Sequence, residues 1–101
     1  MYAPLRNGFH EQDVQELYET TYKDEPFVRV CPADVLPATQ HVRGSNFCDI
    51  GVKVDPRTDR VIVLSAIDNI TKGASGQAVQ NMNLMNGFDE TCGLTGAPFF
   101  P

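Results

Sequence analysis

Two short stretches concentrate the groups able to bind a ligand. In "HVRGSN", Arg43, Gly44, Ser45 and Asn46 set a guanidinium, a hydroxyl and a carboxamide around a glycine. These are donors for an anionic or carbonyl-bearing ligand, with a backbone that admits close approach. The same four residues also read as a plain turn whose Ser45 and Asn46 bond their own backbone, and chemistry alone leaves the two readings level. In "KGASGQ", Lys72 precedes Gly73, Ala74, Ser75, Gly76 and Gln77. Two glycines and a serine at a helix start offer backbone N–H groups to an incoming ligand. The spacing fits neither the dinucleotide fingerprint nor the P-loop, and without a ligand the stretch is a tight helix start packed on a sheet.

Other chemistries find little support. Cys31, Cys48 and Cys92 are an odd number without CxxC or Cys/His spacing, which argues against a disulfide framework and against structural zinc. No metal site is expected. None of the three thiols has a sequence neighbour that would make it a nucleophile, and His10 and His41 read as surface residues. A net charge of −5, with Lys and Arg scattered singly, lacks the basic stripe of a nucleic-acid partner. With 42% apolar and 21% charged residues and no long uncharged apolar segment, the chain is expected to be soluble, cytoplasmic and without a membrane partner.

The elements that must position the two stretches follow from periodicity. Val14, Leu17, Tyr18 and Tyr22 recur at helical spacing behind Glu11 and Asp13, predicting a helix over 11–22 with His10 at its N-cap position. Residues 27–30 form a short strand that ends before Cys31-Pro32. Alternation of Cys48, Ile50, Val52 and Val54 predicts a half-buried strand. The turn "DPRTD" folds it back, as an antiparallel hairpin, onto 60–67, which is apolar on both faces and therefore central. Ala78, Val79, Met82 and Met85 give a helix over about 76–86 with an apolar packing stripe, ended by Asn86-Gly87. Tyr2 to Leu5 reads as the end of a strand, so the chain is expected to be the back part of something larger.

The blocks "YAPL", "LYETTYKDEPFVRV", "VRGSNFCDIGVKVD" and "RVIVLSAIDNITKGASGQAVQNMNLMNGFDET", in this order, closely resemble the C-terminal part of the N-acetyl-gamma-glutamyl-phosphate reductase family. The resemblance implies an α+β fold with a partial mixed or antiparallel sheet and flanking helices, like the C-terminal domain of glyceraldehyde-3-phosphate dehydrogenase. It implies that 1–70 belong to the substrate-binding and dimerisation domain, and that 71–101 form a helix and tail returning to the cofactor domain. It implies NADPH-dependent reduction of N-acetyl-glutamyl phosphate to the semialdehyde, with phosphate release, in arginine biosynthesis. A cysteine thiolate would act as nucleophile and a histidine as acid/base.

The family's cysteine and histidine motifs precede the matched region, so no catalytic residue is assigned here and the chain alone is expected to be inactive. The resemblance implies NADP contacts at Gly73, Ala74, Ser75, Gly76 and Gln77, with Gln77 near the nicotinamide, and the substrate at Arg43, Gly44, Ser45 and Asn46. On that reading a larger side chain at Gly76 would obstruct the cofactor and leave the fold intact. A homo-oligomer is expected. The alternative is a free-standing dimerisation or regulatory module derived from the same family.

Overall fold

The computed structural model describes residues 1–5 and 9–98, with strands β1 (Tyr2–Pro4), β2 (Val28–Val30), β3 (Cys48–Asp55) and β4 (Arg60–Ile67) and helices α1 (Glu11–Tyr22) and α2 (Gly76–Met85). Among the described residues a short 3-10 turn, Thr39–His41, and a π turn, Thr71–Ser75, complete the regular structure. The fold is α+β. The strands form one sheet in the order β1-β4-β3-β2, with β1 antiparallel to β4 and Ala3 opposite Val61.

The chain gathers into two compact units, one from Met1–Pro37 with Asp49–Ser65, the other from Ala38–Cys48 with Ala66–Pro101. In the first, α1 starts where the sequence places it: the Asp13 carboxylate accepts the His10 N–H at 2.8 Å, satisfying one donor at the helix start. The helix buries Val14 against Val52 and Val61, with Tyr18, Val54, Val63, Ala3 and Leu5 packed around them. Leu17, on the predicted stripe, stays 59% exposed. Asp55 Oδ1 accepts the Arg57 N–H at 3.0 Å and shapes the turn between β3 and β4. A connection this short permits only antiparallel pairing.

The predicted half-burial of β3 fails in its middle, where Asp49, Ile50, Gly51 and Val52 are all buried. Residues 35–37 cross the second face, and a Cβ at Gly51 would sit 2.6 Å from Pro37 Cδ. Beside it the Arg29 guanidinium donates twice to Asp49, Nε to Oδ1 at 2.6 Å and Nη2 to Oδ2 at 3.0 Å. β4 is central in the strand order as expected, yet it is not covered on both faces. Val61 and Val63 point to the core, so alternation sends Ile62 and Leu64 to the other side, where Leu64 is 38% exposed and Tyr2, paired with Ile62, is 70% exposed.

The second unit overturns the predicted orientation of α2. Its buried residues are Gly76, Gln80 and Asn83, while Ala78, Met82, Leu84 and Met85 are exposed. Periodicity located the stripe, but the interior of this unit is polar: Ser45, Asn46 and Asn83 are almost fully buried beside Val42.

Candidate functional site

Both candidate stretches lie in the second unit, tied to each other. Gly44 N–H donates to Asp68 Oδ2 at 2.7 Å, and Asp68 Oδ1 accepts the N–H groups of Ile70 (2.8 Å) and Thr71 (3.0 Å). The backbone donors of Gly44, Thr71 and Ile70 hold the Asp68 carboxyl below the usual aspartate range, with the Arg43 charge adding to the effect. Asp68 is therefore the functional cap of the second helical segment, eight residues before the predicted start at 76. An acidic residue at a strand end, two to three residues ahead of unsatisfied N–H groups, was the available signal.

From that cap the chain enters the π turn. Gly73 N–H bonds Asp68 O and Ser75 N–H bonds Ile70 O, each at 3.0 Å, and Gly76 N–H bonds Thr71 O. These N–H groups are not available to an anion, which corrects the expectation of open donors at the helix start. Gly76 is itself buried, and a Cβ there would overlap Asn46 Oδ1 and lie 2.5 Å from Thr71 O. This glycine admits an internal neighbour, so the expectation that a larger residue would spare the fold is also corrected. Gly73, Ala74 and Ser75 are exposed and Gln77 is half-buried, its Nε2 on Asn81 Oδ1 at 2.8 Å.

Of the other stretch, Arg43 alone carries an exposed side chain. Ser45 Oγ donates to Val42 O at 2.7 Å and accepts the Phe47 N–H at 3.3 Å, the turn-forming alternative. Asn46 is 1% exposed; its Nδ2 donates to Gln80 Oε1 at 3.0 Å, and its Oδ1 has no partner among the described residues. Lys72 Nζ reaches the same Gln80 oxygen at 2.6 Å, and Gln80 Nε2 donates to Glu90 Oε2 at 2.5 Å. Asn83 Nδ2 holds the backbone oxygens of Glu90 and Cys92 at 3.2 and 2.9 Å. Gln80, Asn83 and Glu90 went unrecognised in the sequence, where Gly76, Gln80 and Asn83 recur at helical spacing like a solvated face.

An open groove of about 270 Å³ is lined by Thr39, Arg43, Ile67, Asp68, Asn69 and Ile70. It brings the Arg43 guanidinium beside the turn that leads to Gly73. Cys31 is not built as a nucleophile: burial, then the Asp49 charge, push its thiol up against the opposing pull of Arg29, whereas a thiolate needs the reverse. Among the described residues no group of three or more His, Cys, Asp and Glu is placed to hold a metal, and no helix is long and apolar enough to cross a membrane.

The chain belongs to the semialdehyde dehydrogenase dimerisation domain family, whose model matches residues 1–69. Over all 101 residues it is 61% identical to the N-acetyl-gamma-glutamyl-phosphate reductase of Geobacter metallireducens. It is 68% and 67% identical to the reductases of the same name from Citrifermentans bemidjiense and Geobacter sulfurreducens. In each case it spans 29% of the relative's length.

Proposed function

We propose that these residues are the C-terminal part of an N-acetyl-gamma-glutamyl-phosphate reductase that, as a complete enzyme, converts N-acetyl-glutamyl phosphate and NADPH to the semialdehyde, phosphate and NADP in the arginine pathway. The observation that carries the reading is identity of 61–68% running the whole length of the chain while covering 29% of each relative. At this identity a shared substrate is the simplest account. Residues 1–70 serve the substrate and dimerisation domain, in the manner of glyceraldehyde-3-phosphate dehydrogenase, and 71–101 return to the cofactor domain. The enzyme works in the cytoplasm.

The exposed surfaces support that division. The sheet face carrying Tyr2, Ile62 and Leu64 is the natural contact for a second copy, giving a homo-oligomer. The stripe of Met82, Met85 and Phe88, which are 48%, 84% and 58% exposed, asks for cover by the cofactor domain. Arg43, at the rim of the groove, suits the phosphate or carboxylate of the substrate.

The cofactor assignment meets a chemical test in the residues themselves. With the N–H groups of Gly73, Ser75 and Gly76 already used, the turn is no phosphate cradle. Its exposed Gly73–Ser75 backbone and the Gln77 amide instead fit a flat, uncharged ring carrying a carboxamide, the nicotinamide end. A π turn inside a helix is rare and recurs at functional sites. Bound there, NADPH supplies the hydride; this chain's residues orient the ring and exclude water from one side of it.

Complementation tests the proposal. A full-length reading frame carrying these residues should restore growth without arginine to a bacterium lacking its own reductase. The 101-residue chain alone should not, since it lacks the nucleophile. Rescue by the short chain, or no rescue by the long one when well expressed, would overturn it.

A further inference from the structure

The interior of the second unit is unusual in what it chooses to bury. α2 carries Met82, Leu84 and Met85, yet turns them outward and buries Gln80 and Asn83. The inward face is held by side-chain hydrogen bonds, from Gln80 to Asn46 and Glu90 and from Asn83 to the backbone of Glu90 and Cys92. Buried polar contacts can do this: they favour one arrangement among several compact ones.

Gln80 is the hub. Its Oε1 uses both lone pairs, accepting Asn46 Nδ2 at 3.0 Å and Lys72 Nζ at 2.6 Å, and its Nε2 donates to Glu90 Oε2 at 2.5 Å. Asn46 ends the stretch oriented toward substrate, and Lys72 stands beside the stretch oriented toward cofactor. One 8% exposed side chain therefore holds both, while Asp68 ties their backbones from the opposite end. The unpartnered Asn46 Oδ1, pressed where a Cβ of Gly76 would be, leaves the two turns little independent movement.

We propose that Gln80 is a positioning residue, setting the Arg43–Asn46 turn and the Lys72–Gln77 turn as one piece so that substrate and cofactor sites are adjusted together. The inference rests on the reductase reading for the identity of the two ligands. It does not require Gln80 to touch either.

The test uses the full-length enzyme and a KM comparison. Gln80→Met keeps length and removes every hydrogen bond of the amide. It should raise KM for NADPH and KM for N-acetyl-glutamyl phosphate together, each by roughly three- to tenfold. Arg43→Ala should move the acyl-phosphate KM alone and Gln77→Ala the NADPH KM alone. Gln80→Glu combined with Glu90→Gln exchanges the carboxylate and the amide, rebuilding all three bonds, and should return both KM values to within about twofold of the parent.

A merely structural role would lower the active fraction, hence kcat and melting temperature, with KM unchanged. That result, a shift in one KM only, or no rescue by the exchanged pair would overturn the proposal. Hydrogen exchange on the same proteins gives a readout free of catalysis: residues 42–47 and 68–77 should lose protection together in Gln80→Met and regain it in the exchanged pair. Loss at one segment alone contradicts the inference. A parent enzyme without reductase turnover would strike the functional reading instead, and the exchange data would still decide the positioning.

Discussion

Gly76→Ala separates a glycine kept for a ligand from one kept for its neighbours. The backbone there is ordinary right-handed helix, φ −65° and ψ −40°, so alanine meets no dihedral penalty and gains about 1 kcal/mol of helix propensity. Against that gain stand two overlaps, one with Asn46 Oδ1 and one with the Thr71 carbonyl, whose oxygen and carbon would lie 2.5 and 2.8 Å from the new Cβ. Thr71 O accepts the Gly76 N–H, so it can retreat only by opening the π turn, an overpacking strain of about 1–3 kcal/mol. Asn46 can retreat only by leaving Gln80, which strands buried polar groups at about 1–3 kcal/mol.

The balance is a loss of about 1–5 kcal/mol. Chemical denaturation of the full-length protein measures it, and hydrogen exchange across 68–85 locates it. Asn46→Ala removes one of the two overlaps, so the double variant should be less destabilised than the sum of the single ones. An alanine variant as stable as the parent, with α2 equally protected, would refute the packing argument and return Gly76 to the cofactor.

Further outcomes are open to direct measurement. Replacing Asp68 by asparagine should destabilise the fold at neutral pH. Because the folded carboxyl lies below its unfolded value, its contribution is present above the usual aspartate range and is lost as pH falls through the folded value. The two proteins should thus converge on acidification, and a constant gap in denaturation midpoint would contradict this. Arg29→Leu leaves the nearly buried Asp49 carboxylate without its two-point partner and should cost about 1.5–3 kcal/mol by denaturant titration. Leu64→Asp, on the open sheet face, should weaken self-association of the full-length enzyme in light scattering without unfolding it. The purified 101-residue chain should oxidise no NADPH with the acyl phosphate.

Much of the first unit was legible because local signals and burial agree there. Val14 and Tyr18 at helical spacing behind Glu11 and Asp13 gave α1, and Asp55-Pro56 gave the turn between β3 and β4. Periodicity also found α2, but a stripe says only that two faces differ. Which face turns inward was decided by Asn46, Lys72 and Glu90, which lie 34, 8 and 10 residues from Gln80 and outside α2, where helical periodicity does not reach. The π turn was equally hidden, since it depends on the Asp68 carboxylate capturing Ile70 and Thr71 while reaching across to Gly44. At the candidate site, Arg43 was placed outward as its chemistry implies. Ser45 and Asn46 became internal struts, a choice between ligand and backbone that residue type cannot make.

Turnover of the purified full-length protein tests the central claim most directly, with N-acetyl-glutamyl phosphate compared against the related acyl phosphates of lysine and aspartate metabolism. The account predicts NADPH oxidation with kcat/KM at least about a hundredfold higher for the N-acetyl-glutamyl substrate, the scale of discrimination that a few specific contacts provide. Equal or greater efficiency with another acyl phosphate, or no turnover with any of them by a folded protein, would contradict it.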